Sequence, residues 1–318
     1  MTSASTTVSR PGHAPADTTA LAALVRAAAR EGRGLRIRGA GRWTTAHAPG
    51  DTTDELTTTA MAGITAYTPA DLTLSCGAGT TLAELEAATR VHDQWCPLLP
   101  WGDDLGTVGA TAATATAGPF ADRLGAPSTL VLGLECVDGT GRVIQAGGRV
   151  VKNVAGFDLT RLMIGAWGTL GVITQLHLRL RARPAVDRTM VLEAPPSAVD
   201  AVTAFGRGPY APLALLAMDA GAAWTTMAGA IPAATDPSAR RWMVRIGGNA
   251  PFVAAAQDAL ARLGRLTIVD GETVWSFVRQ HAAPRSGPGP WRWDTLSTRL
   301  RDRFDPHRVL NPGLLDAV

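Results

Sequence analysis

Three short glycine runs are the segments best suited to hold a ligand by its phosphates or ring edges. The first, Ile37-Arg38-Gly39-Ala40-Gly41-Arg42, sets two glycines directly after a strand-like stretch. Backbone without Cβ atoms can turn its N–H groups toward a diphosphate there, and Arg42 adds charge. The second, Pro100-Trp101-Gly102-Asp103-Asp104-Leu105-Gly106-Thr107-Val108-Gly109, runs into ATAATATAG. Those small side chains let a flat cofactor lie close to main chain, and they equally permit ordinary tight packing. In the third, Gly165, Gly168, Thr169, Leu170 and Gly171 lead straight into a strand opening at Val172 and Ile173, so main chain can approach a ring edge and hydrogen-bond its polar atoms. Cys76-Gly77-Ala78-Gly79 stands where a dinucleotide fingerprint would, but Leu82 replaces the last glycine or alanine of G-x-G-x-x-G/A, which argues against a Rossmann site. No G-x-x-x-x-G-K-S/T occurs, so a P-loop is excluded.

Lys152 is the only lysine in the chain, and Asn153 and Asn311 are two of its three asparagines. A compact ammonium or small amide fits where a planar guanidinium does not; the competing reading of Lys152 is a survivor of compositional drift. His13, His47, His92, His177, His281 and His307 are scattered singly, without ligand spacing, and His177 is expected on a solvated strand face. Arg285, Arg292 and Arg299 are candidates to clamp a carboxylate. Cys76, Cys96 and Cys136 are far apart with no CxxC, which argues against a disulfide framework, a zinc site or an iron–sulfur cluster held by this chain alone, and fits a reducing compartment.

These groups need a scaffold of about two domains, the prior for 318 residues. Hydrophobic residues make up 46% and charged residues 18%, with a mean hydropathy of +0.08, as in a compact soluble protein. The net charge of +3 comes without a basic cluster for nucleic acid, and no stretch is apolar enough to span a membrane. Residues 1–17 read as a flexible tail. Asp17 then caps a helix with Leu21, Leu24, Val25 and Ala28 on one face and a stop at Gly32. Strands are expected at 35–38 and 72–76, and a Thr81/Glu84 capping box opens a helix to about Arg90. A hairpin pairs 130–137 with 142–146 around Asp138-Gly139. Alternation predicts a strand over 172–180, with Val172, Thr174, Leu176, Leu178 and Leu180 on one face. From Pro184 the order is β-α-β-β-α-β, the pattern of a ferredoxin-like unit, followed by two short helices and a tail, FDPHRVLNPGLL, expected to return to the first domain. The expected divisions are 1–17, 18–183, 184–271 and 272–318.

The runs GAGTTLAELE, VVKNVAGFDLTRLMIGAWGTLGVIT and FDPHRVLNPGLL resemble the PCMH-type FAD-binding family that includes vanillyl-alcohol oxidase, and within it the GlcE-type FAD-binding subunits of glycolate oxidase. The resemblance covers about residues 35–180 and the tail from Phe304. It implies an α+β fold, a PCMH-type FAD-binding domain of two α+β subdomains, beside the small ferredoxin-like cap. It also implies that Arg38, Gly39, Ala40, Gly41 and Arg42 hold the pyrophosphate of FAD, that Pro100, Gly106, Thr107, Val108 and Gly109 contact the dinucleotide, and that Gly168, Thr169, Leu170, Gly171, Val172 and Ile173 line it. Lys152, Asn153 and Asn311 complete the set. Ala40, Ala110 and Ser128 or Thr129 depart from residues common among relatives. Covalent flavin attachment in the family uses His, or His with Cys; His47 lies near the first loop with nothing to commit it, so FAD is expected to be noncovalent.

Relatives that oxidise 2-hydroxy acids as complete enzymes carry an H-x-G-D-G-N-x-H pattern, which this chain lacks. The expectation is an FAD-binding subunit of a glycolate oxidase (glycolate dehydrogenase) complex, working with a catalytic flavoprotein subunit and an iron–sulfur subunit on a small hydroxy acid. Its expected location is cytoplasmic, with the membrane reached only through partners. The alternatives are a self-sufficient FAD-dependent oxidoreductase acting on another alcohol or 2-hydroxy acid, and a flavin-free structural subunit.

Overall fold

Asp17 accepts the N–H of Ala20 at 2.8 Å and starts helix α1 (Thr18–Glu31), which Gly32 ends in a left-handed cap at φ +65°. The computed structural model describes residues 12–41, 53–98, 106–148, 158–218, 230–281 and 294–314. Leu21, Val25 and Ala28 share one helix face and are fully buried. They pack on a three-stranded parallel sheet in the order β1 (Gly12–His13), β3 (Thr53–Thr57), β2 (Gly34–Arg38). Gly12 and His13 therefore belong to the fold, although residues 1–17 read as a tail; His13 sits on the Asp54 carboxylate, which also pairs with Arg33.

The expected return of the tail extends this sheet. Leu310 bridges Leu35 in parallel, with Leu35 N–H donating to Val309 O at 2.7 Å and Asn311 N–H to Leu35 O at 2.9 Å.

A five-stranded antiparallel sheet follows, ordered β4 (Ile64–Thr68), β5 (Thr73–Gly77), β9 (Val172–Arg179), β7 (Val131–Val137), β8 (Val143–Gly147). Its inner face meets α2 (Leu82–Arg90), which carries the full Thr81/Glu84 capping box, and the short helix α3 (Val108–Ala113). Short helices α4 (Ala121–Leu124), α5 (Pro127–Leu130) and α6 (Leu159–Met163) and a two-strand pair, β6 (Gln94–Trp95) with β10 (Arg181–Ala182), complete the unit.

The single-face reading of residues 172–180 needs correction. Glu135 pairs with Gln175 but Cys136 with Ile173, so Thr174 is an extra residue on β9. The bulge turns Ile173 into the core with Leu176 and Leu178, while Val172 packs with Leu21 and Val25. His177, read as solvated, is half-buried, with its Nδ1 at 2.7 Å from Ser75 Oγ.

On the same outer face, burial pushes the Glu135 carboxyl up, but hydrogen bonds from Thr18, Gln145 and Thr174, with the charge of His177, outweigh it and hold the group below its ordinary 4.5. A depressed folded pKa adds stability that is present above 4.5 and lost as pH falls through the folded value. Urea unfolding is therefore expected to show Glu135→Gln weaker than wild type at pH 7, with the gap closing in acid.

The remaining chain forms β11 (Val186–Ala194), α7 (Val199–Arg207), β12 (Ala214–Ala217), β13 (Arg240–Gly248), α8 (Ala250–Ala261) and β14 (Arg265–Val269), with the antiparallel sheet order β12-β13-β11-β14. Val202, Val253, Ala256 and Leu260 cover one face against Met190, Leu192, Val244 and Ile246. On the other face, Val191 and Met243 meet Trp275 of α9 (Gly271–His281) and Trp95 and Phe120 of the first unit. This shared aromatic core fixes the second sheet on the first unit. Helix α10 (Thr295–Phe304) then leads into the tail.

Candidate functional site

The strand β2 ends at Arg38, and Gly41 takes φ +78°, so the chain turns at the mouth of a cleft. Among the described residues, neither Gly39 nor Ala40 donates its N–H to protein, which leaves two neighbouring donors for an anion.

The facing wall is the start of α3. Thr107 Oγ1 accepts the N–H of Ala110 at 3.3 Å, while Val108 and Gly109 donate their own N–H groups to Thr80 O and Ala78 O, both at 2.9 Å. A Cβ on Gly109 would lie 2.6 Å from the Ala78 Cβ, so glycine is needed there for main-chain approach.

The floor comes from the third run. Trp167 and Gly168 both have positive φ, +52° and +70°. Trp167 N–H donates to Ala113 O at 2.8 Å, tying the run to α3.

The cleft is lined by Ile37, Gly39, Gly41, Gly109, Ala110, Ala113, Thr114, Trp167, Gly168, Gly171, Val172, Ile173 and Asn311, with Arg36, Arg38 and Thr58 at its flank. All three glycine runs thus meet in one place. Arg38 reaches both carboxylate oxygens of Glu55, at 2.7 and 2.8 Å. Ala40 is exposed and does not line the cleft. Gly106, Thr107 and Val108 lie behind the wall, as do Thr169, whose Oγ1 donates to Ala166 O at 2.6 Å, and Leu170, which packs in the main core. Arg42, Pro100, Lys152 and Asn153 lie outside the described residues, as do His47, Arg285 and Arg292.

Asn311 is 6% exposed, and both ends of its amide are used by protein: Oδ1 accepts Ile37 N–H and Nδ2 donates to Trp167 O, each at 2.7 Å. Sequence reading missed Thr58, Thr114 and Trp167. Only Trp167 carried a signal, its place between Gly165 and Gly168.

Glycine and alanine on the walls and two free main-chain donors at its mouth suit a long, flat, anionic ligand such as a dinucleotide. A second cleft, between α2 and β11, differs. Its Arg183 pairs with Glu86 and its Arg245 with Asp187, and both guanidiniums lie 5.9 Å from the Trp95 ring. Both of these arginines are thus already paired with carboxylates, and no glycine run reaches this cleft.

Residues 13–147 match a family model described as FAD binding domain. Among curated proteins, the glycolate oxidase subunit GlcE of Escherichia coli K12 is 37% identical over 130 residues, 40% of this chain and 37% of that protein. The D-lactate dehydrogenase of Archaeoglobus fulgidus is 42% identical over 105 residues, 33% of this chain and 24% of its own length. The glycolate oxidase subunit GlcD of Bacillus subtilis 168 is 31% identical over 121 residues, 38% of this chain and 26% of its own. The matches span well under half of each relative. In fold, the chain resembles a solved alkyldihydroxyacetonephosphate synthase at a TM-score of 0.69 and 17% identity, covering 85% of this chain and 54% of that one. The match falls on the segment that builds two walls of the cleft, and it points to FAD as the cofactor.

Proposed function

We propose that the protein is an FAD-dependent oxidoreductase acting as the FAD-binding subunit of a glycolate oxidase complex, which oxidises glycolate to glyoxylate with a catalytic flavoprotein subunit and an iron–sulfur subunit. The convergence of the three glycine runs on one cleft carries the reading. In it, Gly39, Gly41 and Gly109 border the dinucleotide, the N–H groups of Gly39 and, at the mouth, Ala40 meet its phosphates, and Gly168, Gly171, Val172 and Ile173 support its length. FAD supplies a two-electron acceptor for hydroxy-acid oxidation.

We read the flavin as noncovalent. Burial pushes the thiols of Cys76, Cys96 and Cys136 up to about 12, which leaves them unreactive at neutral pH. His13 and His177 are engaged by Asp54 and Ser75. Residues 184–271 serve as the ferredoxin-like cap, in line with their β-α-β-β-α-β order. We place the protein in the cytoplasm, with the membrane reached only through partners; no described helix is long and apolar enough to cross one.

A self-sufficient dehydrogenase for another 2-hydroxy acid is the second reading, favoured by the similarity to a D-lactate dehydrogenase. Purified alone, the chain is expected to be yellow, to release its flavin on acid precipitation, and to keep its visible band when glycolate or D-lactate is added. Bleaching should require co-purified partners. Bleaching of the isolated chain would favour the second reading, and a colourless chain that takes up no added FAD would overturn both.

A further inference from the structure

Asn311 lies far in sequence from both segments it touches, 274 residues from Ile37 and 144 from Trp167. Its N–H reaches Leu35 O, its Oδ1 takes Ile37 N–H and its Nδ2 holds Trp167 O. One buried residue of the C-terminal tail therefore joins two walls of the cleft. The Trp167 backbone it grips is strained, because a bulky side chain rarely adopts φ near +52°. Such strain persists only where neighbours over-determine it, and here the neighbours are Ala113 O on one side and the Asn311 amide on the other. The fit is close: a Cβ on Gly168 would stand 3.0 Å from Nδ2.

We propose that Asn311 is a positioning residue for FAD, holding the segment at Trp167 and Gly168 against the end of β2, so that docking of the C-terminal tail and binding of FAD are one coupled event. The inference rests on the placement of FAD in this cleft. Without the amide, Trp167 relaxes out of the left-handed region and the floor of the cleft turns away from Ile37. Coupling is reciprocal, so FAD that spans both walls also holds the tail in place.

The test uses the full chain, freed of flavin and titrated with FAD by fluorescence, beside hydrogen exchange of the amides of Val309, Leu310 and Asn311. In wild type, saturating FAD is expected to slow exchange of these amides at least about tenfold. Asn311→Asp keeps an acceptor for Ile37 but sets a carboxylate oxygen against Trp167 O. It is expected to weaken FAD about tenfold or more and to abolish the FAD-dependent protection of the tail. A tether with no role in positioning would lower stability yet leave FAD affinity of the folded chain alone. Wild-type exchange that is indifferent to FAD, or Asn311→Asp affinity within about twofold of wild type, would overturn the proposal. Gly168→Val separates the failures: if it weakens FAD while Asn311→Asp does not, the positioning role alone falls, and if neither does, the cleft falls with it.

Discussion

Gly168→Val is expected to yield a folded chain with little or no bound FAD. Gly168 sits at φ +70°, a region that costs an L-residue about 1–2 kcal/mol and a β-branched one more. Its Cβ would also press on Asn311 Nδ2 at 3.0 Å and Ile37 Cδ1 at 3.4 Å. The amide cannot yield freely, because both its ends are pinned by 2.7 Å hydrogen bonds, each worth about 1 kcal/mol. Strain and a broken bond together correspond to a ten- to hundred-fold loss of FAD affinity at about 1.4 kcal/mol per tenfold. Gly264→Ala is the control. Its Cβ would meet the Glu193 carbonyl in the second unit, far from the cleft, so it should lower stability and leave FAD affinity unchanged. Flavin content against urea midpoint separates the two variants.

Asp305→Ala is expected to cost about 3 kcal/mol and to release the tail. The Asp305 carboxylate is fully buried and accepts the N–H groups of Val309 at 2.9 Å and Leu310 at 3.0 Å. Removing it strands two buried donors at about 1–3 kcal/mol each, less the relief of a desolvated carboxylate. The relief has a pH signature. Burial holds the Asp305 pKa above its ordinary 3.8, so the folded state binds the proton more tightly than the unfolded one. Stability from this group is therefore greatest in acid and declines as pH rises through that window. Urea midpoints from acid to neutral pH should show the gap between wild type and Asp305→Ala narrowing as pH rises, opposite in sense to Glu135→Gln.

Elements with local signals were legible in the sequence. Asp17, the Thr81/Glu84 box and the Asp138-Gly139 turn each act on residues within a few positions, and each appears where its chemistry predicts. β3 was not legible, because TDELT lacks apolar alternation: its Asp54 is buried only by virtue of Arg33 and His13, which come from elsewhere in the chain. The bulge at Thr174 was hidden for a similar reason, since an extra residue in a strand is visible only against its partner.

At the site, the glycine runs themselves were readable, but not which of their N–H groups stay free. Val108 and Gly109 give theirs to Thr80 and Ala78, across a contact no spacing rule encodes. Asn311, expected among the cofactor-binding residues, lines the cleft, and its amide also satisfies Ile37 and Trp167, a pairing hidden in the sequence because long-range closure of the sheet brings the tail between them.

On our proposal, FAD occupies the cleft where the three glycine runs meet. Calorimetric titration of the flavin-free chain with FAD tests this most directly, comparing wild type with a folded variant carrying both Gly39→Val and Gly168→Val. The structure predicts one FAD per wild-type chain and an affinity at least about tenfold weaker in the variant. Failure of the wild type to bind FAD, or an unchanged affinity when both glycines are filled, would contradict it.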